Sequence, residues 1–533
     1  MVVEIREHCM KRPSCSRFVW EQAPLVPWGT NPEGTGQLLD CGDIQLRAFR
    51  GGLPLLLLAA TGLTGLVRAV GLASKNSTNH GLIMVYVRCL VGLAFVLFIH
   101  GSGLAFLLGV AFLFFQTSKR LAGTSLAVPC TWILAISVIA LKEPRWPFRQ
   151  FLYFSTLFGP YGARIDQFSG EYDWSSSVNL LVLRLVSFSL DQHKAVLDKK
   201  AGKGSPEEQK IDVSTGYSFL GCCTHGLYAP LWLAGPTICY DDFMSQCTGD
   251  LRTQNASNRS KGDSKPRTHL GWYLFQLLMV VTFLEWESRR IPVFALARSG
   301  EFQKLGPRLG AAAVLHTLFV MWCKFTLLWR VARGWALADG IDPPENMRRA
   351  LINHYSIVEF WKSWHSSFNR WLVAYIYIPV GGRDRRVTAT FLVFCFVAYW
   401  HDVSPALIAW GLLNACFIAL EVLVSKWTRL WASSTGVMQR PFLYRSICAF
   451  GGAACIVCMM SVNMIGYAVG VNGVSAYFER ASSDLAALQS EALVTILWSF
   501  CILYCTSHLM FEFRRLDGTY DKKSDPKVVA DSG

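Results

Sequence analysis

The chemistry in this sequence gathers around two histidines. His401 lies in Phe391-Leu-Val-Phe-Cys-Phe-Val-Ala-Tyr-Trp-His-Asp-Val-Ser-Pro405, and a further apolar run continues to Val424. From Phe391 to Val424 is 34 residues, ~51 Å as a helix at ~1.5 Å per residue, against ~30 Å of bilayer hydrocarbon. One straight span does not fit. Ser404-Pro405 supplies a restart, with serine as N-cap and proline at the first helical position. His401 and Asp402 then stand at the break, where freed backbone groups must face protein or a watery cavity. An ionisable residue at that depth is a functional candidate; the bland alternative is a loop histidine at the membrane surface. A neutral imidazole, with an unperturbed pKa of ~6.5, is a base near pH 7 that can take the proton of an acceptor hydroxyl attacking a thioester. Asp402 adjoins His401, but neighbouring residues do not share a helix face, so it is assigned no orienting role.

The second histidine lies in Phe360-Trp-Lys-Ser-Trp-His-Ser-Ser-Phe-Asn-Arg-Trp371. Trp361, Trp364, His365, Phe368, Trp371, Leu372 and Tyr375 recur at three- and four-residue steps, so one apolar helix face is expected. His365 then points into protein or lipid, either as a core histidine satisfied by a backbone carbonyl or as a catalytic group. Lys324, Arg330 and Arg333 intrude on an apolar stretch that ends in Gly340-Ile-Asp-Pro-Pro-Glu-Asn346. Both cation types suit phosphate, and snorkelling to the interface is the alternative. The sequence has no phosphate-cradling glycine loop, nucleophilic-serine elbow or metal-ligand array, so no metal is expected.

Groups at such positions need a membrane scaffold. Of 533 residues 52% are hydrophobic and 17% charged, where soluble domains carry about a quarter charged; mean hydropathy is +0.30. Apolar runs recur from Gly51 to His508. Spans are expected near 51–73, 81–103, 104–116, 125–141, 217–238, 270–287, 308–330, 388–402, 405–424, 444–470 and 487–510, with shorter amphipathic pieces near 147–158, 176–192 and 357–377. The reading is an all-α polytopic protein of about ten to twelve membrane helices, some of them half-spans. Residues 1–50 form a polar N-terminal segment, 51–512 the membrane domain with a polar insertion at 247–269, and 513–533 a polar tail. The first segment lacks the apolar core of a cleavable signal, so the first span is expected to serve for targeting.

The net charge of +14 sits in clusters at segment ends, such as Lys119-Arg120, Arg289-Arg290 and Arg383 to Arg386. That is the pattern of positive-inside topology, and no nucleic-acid partner is expected. The 17 cysteines are scattered, many within apolar runs; they read as small buried residues, with no disulfide framework. Sequons at Asn76, Asn255 and Asn258 matter only in loops facing the lumen.

These residues together resemble the membrane-bound O-acyltransferase superfamily, in its glycerol-uptake-protein and Hedgehog-acyltransferase-like branch and closer to the former. Four stretches carry the likeness: Asn179 to Asp191, Tyr228 to Pro236 through Asp242-Phe243, Trp329-Arg330 through Asp342-Pro-Pro-Glu-Asn346, and Ile357 to Gly382 with Tyr399-Trp-His-Asp402. It spans roughly residues 85–510. The resemblance implies that His401 matches a near-invariant family histidine. His365 takes a second catalytic position that other members fill with Asn, Asp or His. The implied fold brings the two together in a central tunnel among amphipathic and broken helices. Acyl-CoA would enter from the cytosol as co-substrate, with its phosphates on Lys324, Arg330 and Arg333 and no bound cofactor. One departure is Ala374, where the resemblance leads one to expect arginine.

The function so implied is transfer of a fatty acyl group from acyl-CoA to a lipid hydroxyl. The acceptor would be a lyso-glycosylphosphatidylinositol anchor or another lysolipid, in the endoplasmic reticulum membrane or alternatively the plasma membrane. Competing readings are a protein N-terminal acyltransferase of the Hedgehog type, a glycerol–proton symporter and a catalytically silent relative. Symporters commonly pair interrupted helices across two halves, and only one such break is visible here.

Overall fold

The computed structural model describes residues 1–21, 38–142, 153–202, 216–248, 270–402, 404–487 and 489–516. Most of the polar insertion and of the tail therefore lies outside the described residues, as do residues 147–152 of one amphipathic piece. The chain begins with α1 (Val2–Met10), α2 (Pro13–Ser16) and an antiparallel ribbon of β1 (Val19–Glu21) with β2 (Leu38–Asp40). There follow α3 (Ile44–Ser74), α4 (His80–His100), α5 (Gly103–Leu121), α6 (Ala127–Leu141), α7 (Phe154–Asp166) and α8 (Val178–Lys200). Short α9 (Phe219–Gly226) and α10 (Tyr240–Thr248) precede α11 (Leu270–Arg290), α12 (Val293–Ser299) and α13 (Pro307–Ala338). Next come α14 (Ile357–Ser363), α15 (Ser366–Leu372), a π-helical turn at Val373–Tyr377 and α16 (Arg386–His401). The last described helices are α17 (Pro405–Ser434), α18 (Pro441–Tyr467), α19 (Gly470–Ala486) and α20 (Ser490–Leu516).

Seven of these, α3, α4, α5, α13, α17, α18 and α20, are long and apolar enough to cross a membrane, and α6 and α16 are shorter apolar helices. Large apolar side chains such as Leu58, Leu66, Trp427 and Trp498 face outward, as a lipid-facing surface requires. The protein is thus an all-α polytopic membrane protein, and its one ribbon is the only sheet among the described residues.

Besides the piece near 357–377, which is broken at His365, two expected elements differ. The piece near 176–192 is no amphipathic surface helix: in α8, Val178 and every residue from Leu181 to Ser189 are buried, because α5, α6, α9 and α10 pack around it. The span expected at 217–238 breaks after α9 into a 3-10 turn at Ala229–Leu231 and irregular chain. Pro230 and Pro236 deny it backbone donors. The carbonyls so freed need partners in a dry interior, and the buried Arg184 guanidinium of α8 donates to those of Gly226 and Leu231.

The N-terminal segment is also more ordered than its composition implies. Contrary to the expectation of unpaired cysteines, Cys9 and Cys15 form a disulfide, their Cα atoms 5.2 Å apart. A six-residue separation lets the turn between α1 and α2 bring the two together. Glu301 receives Ser14, Arg12 and Lys304, and Arg308 bridges Glu4 and Glu491. Asp40 accepts the backbone N–H groups of Phe294 and Ala295 at 2.8 and 3.1 Å. This disulfide-bearing cap therefore sits where α3, α13 and α20 begin. The far ends of α3, α5 and α8 carry Lys75, Lys119, Arg120, Lys199 and Lys200. Disulfides persist in oxidising compartments, so the cap is expected to face the lumen or exterior, its own cations Arg12, Lys304 and Arg308 being paired with Glu301, Glu4 and Glu491. Asn76, at the basic end, should then carry no glycan, while Cys9 and Cys15 resist alkylation until reduced. A glycan at Asn76, or two free thiols in the native membrane, would reverse this orientation.

Candidate active site

His401 is delivered by the last turn of α16. The helix stops because Asp402 is extended (φ −175°, ψ 149°), and α17 restarts as expected with the Ser404 side chain accepting from the Leu407 N–H and Pro405 in the first turn. The carbonyls left at a helix end need donors. The Lys142 ammonium donates to the His401 carbonyl at 3.0 Å, and the Asn179 side-chain amide of α8 donates to that of Trp400. The Trp400 indole N–H returns a bond to the Asn179 carbonyl at 3.0 Å, so α8 holds the residue before His401 from both sides. The imidazole sits among the rings of Trp400, Tyr467 and Trp410, at centroid distances of 4.7, 5.9 and 6.2 Å. Trp410 is itself fixed by an indole bond to Asn463 at 3.2 Å.

His365 is not on the continuous helix face that its spacing suggests. α14 ends at Ser363, α15 begins at Ser366, and His365 between them has φ 46° and ψ 47°. It is the only non-glycine residue with positive φ among the described residues. The cause lies in the Pro-Pro-Glu-Asn segment running alongside. Ser366 donates its N–H to the Asn346 carbonyl at 3.0 Å and its hydroxyl to the Glu345 carbonyl. Ser367 bonds the Asn346 side chain through both N–H and hydroxyl, and Arg348 N–H reaches the Ser363 carbonyl at 3.3 Å. Long-range bonds thus replace helical ones at this point. The His365 ring stacks on Trp329 of α13 (centroids 4.4 Å apart, planes 13° apart) and adjoins Phe368 and Trp400. A left-handed residue held by its surroundings is a common mark of a functional site.

The two imidazoles therefore meet across Trp400, each half-buried at a helix break. Neither has a ring hydrogen bond among the described residues. His100 and His225, by contrast, spend ring nitrogens on the carbonyls of Tyr172 and Ile238. Those are satisfied core histidines, whereas His365 and His401 keep their nitrogens for something else. The hydroxyl of Tyr467, beside His401, is likewise without a hydrogen-bond partner among the described residues.

Arg330 and Arg333 come together, sharing Glu345 at 3.8 and 3.5 Å and the Tyr273 ring, while Lys324 stands apart from them. Lys324 pairs with Asp43 at 2.7 Å, at the start of α3. Arg333 pairs with Asp342 at 2.7 Å and donates to the Pro343 carbonyl at 2.8 Å. Arg330 bonds Gln276 at 2.9 Å, lies 3.8 Å from Glu345, and leaves its Nε without a hydrogen-bond partner among the described residues. Ala374 stands exposed on the π-helical turn, so an arginine there would face outward. Asn179, Trp329 and Asn346 fall in stretches that carry the family likeness but have no role assigned from sequence, and Tyr467 lies outside those stretches. A lone Asn in the apolar run after Val178 was the one local signal among them, since buried membrane amides need partners.

Residues 146–465, which include both histidines, match the model of the family described as MBOAT, membrane-bound O-acyltransferase family. The chain is 33% identical over 500 residues to the membrane-bound O-acyltransferase gup1 of Schizosaccharomyces pombe, covering 90% of this chain and 81% of that protein. It is 28% identical over 499 residues to the membrane-bound O-acyltransferase GUP1 of Saccharomyces cerevisiae, covering 90% and 83%. Similarity to the protein-cysteine N-palmitoyltransferase HHAT of Mus musculus is 24% over 244 residues, covering 45% and 46%.

Proposed function

We propose that this chain, which belongs to the membrane-bound O-acyltransferase family, transfers a fatty acyl group from acyl-CoA to a lipid hydroxyl, with a lyso-glycosylphosphatidylinositol anchor in the endoplasmic reticulum as acceptor. The observation that carries this reading is the pair of imidazoles with unengaged nitrogens, set at two helix breaks inside an aromatic enclosure. His401 takes the proton of the acceptor hydroxyl as its oxygen bonds to the thioester carbonyl carbon. The tetrahedral adduct collapses with loss of the carbon–sulfur bond, and the imidazolium returns the proton to the departing thiolate. His365 donates a hydrogen bond to the carbonyl oxygen as negative charge develops there. The relatives that align along most of the chain are named O-acyltransferases, and the N-palmitoyltransferase aligns over less than half of it, which supports a hydroxyl acceptor.

Purified protein in liposomes, given labelled acyl-CoA and lyso-anchor, should form the acylated lipid. Absence of transfer to any lipid hydroxyl, with glycerol flux in the same vesicles, would replace the enzyme by a transporter. The same assay tests the basic residues. Arg330 is the member of the trio best placed to take a donor phosphate, since Lys324 and Arg333 each hold a carboxylate at 2.7 Å. Arg330→Gln is expected to raise KM for acyl-CoA and leave acceptor dependence unchanged; an unaltered KM in folded protein returns Arg330 to a purely structural role.

A further inference from the structure

A cleft of about 490 Å³ opens where the C-terminal ends of α3 and α13 meet the N-terminal end of α4. Arg68, Lys75, His80 and Asp339 line it beside apolar Val67 and Met84. Its one carboxylate is already engaged: Asp339 accepts from Arg88 Nε at 2.8 Å and from the Tyr228 hydroxyl at 2.6 Å. The cations are freer. Arg68 uses Nε on the Ala338 carbonyl at 2.8 Å and has its other guanidinium nitrogens in hand. The Lys75 ammonium is exposed and has no partner among the described residues. His80 meets the Ser74 hydroxyl through Nδ1 at 3.0 Å, which leaves Nε2. The 21-residue α4 begins here with no side-chain cap on its first N–H groups, and its dipole adds positive potential at the same place. Such a cleft is short of negative charge and is walled on one side by hydrocarbon.

We infer that this cleft is a binding site for the phosphate group of an amphiphile, distinct from the Lys324, Arg330 and Arg333 positions. The apolar wall takes the start of the amphiphile's body. Behind the cleft a much smaller void of about 10 Å³, lined by Thr64, Arg88, Tyr228 and Trp335, shares Val67 and Asp339 with it. Asp339 lies ten residues beyond Trp329, the partner of His365, ~15 Å at ~1.5 Å per residue. Two amphiphiles carry the required chemistry, an anionic phospholipid of the surrounding leaflet and the acyl-CoA donor. Only the donor arm of the test rests on the transfer reaction proposed above.

The test uses full-length protein carrying Lys75→Gln, and Arg68→Gln with Lys75→Gln, both at exposed side chains. One arm measures retention of phosphatidylinositol by the protein after extraction from phosphatidylcholine vesicles containing it; the other measures KM for acyl-CoA. Each cation near an anionic group is worth about fivefold in affinity. Weakening of that size for the single variant, larger for the double, is expected in at least one arm, and Lys75→Arg should restore it. A loss confined to lipid retention identifies the phospholipid as occupant; a rise confined to KM identifies the donor. Wild-type values in both arms for the double variant overturn the site. If no transfer is detected even in wild type, the retention arm still decides the matter, and the failure belongs to the proposed reaction.

Discussion

His401→Ala is expected to lower acyl transfer by about 10²–10⁴-fold, the usual contribution of a positioned general base, while the protein stays folded. Stability should survive because the groups that hold this segment are bonded to its backbone and neighbours. Lys142 grips the carbonyl of residue 401, and Asn179 grips Trp400. Alanine keeps both contacts. The loss should fall on kcat with little change in KM for acyl-CoA, since the ring acts on the acceptor's proton. Asn179→Ala offers the contrast, because it removes the side-chain bond to the Trp400 carbonyl, keeps the backbone carbonyl that accepts the Trp400 indole, and leaves the imidazole. It should reduce kcat less than His401→Ala and also lower thermal stability, by about 1–3 kcal/mol for the one buried carbonyl left unpaired. Full transfer by a folded His401→Ala protein would refute the assignment.

The site is legible in sequence where local chain chemistry decides the structure, and illegible where a distant segment does. The break at His401 could be read from length and from Ser404-Pro405, since a span cannot exceed the bilayer and a cap is a local device. The break at His365 could not. Its aromatic spacing fits one helix, and what interrupts that helix is Asn346 and Glu345, some twenty residues earlier in the chain. Stacking of Trp329 on His365 is likewise a tertiary fact. The same reasoning explains the misread segment at 217–238. Its apolar composition allows a span, but Arg184 of α8 stands ready to satisfy an irregular backbone there, and no periodicity within the segment reveals that. Charge pairing is hidden in sequence for a related reason. Lys324 and Arg333 look available in sequence, and folding brings Asp43 and Asp342 to them.

His365 is a residue for which backbone and side chain make separate demands, and a substitution series separates them. Its φ of 46° lies in the left-handed region, which costs an ordinary side chain roughly 1–2 kcal/mol and glycine almost nothing, with Asn, Asp and His the more tolerant of the rest. Backbone strain and hydrogen-bonding capacity therefore point to the same small set of residues. His365→Asn should keep the fold and part of the activity, because its amide can still donate to a carbonyl oxygen. His365→Gly recovers roughly 1–2 kcal/mol of left-handed strain and forfeits about 2–5 kcal/mol of packing on Trp329 and Phe368, so it should stay folded with a melting point modestly below wild type and above that of His365→Leu. It should nevertheless lose transfer by about 10²–10³-fold, the effect of removing one donor from a developing oxyanion. His365→Leu should lose both, since a bulky apolar residue neither tolerates this conformation nor donates. The measurements are a thermal melt and kcat on the same purified preparations. If His365→Gly retained wild-type kcat, the ring would be a packing partner for Trp329 and Phe368 and nothing more. If His365→Gly and His365→Asn were equally inactive yet stable, the imidazole itself, rather than any donor at that position, would be what the reaction requires.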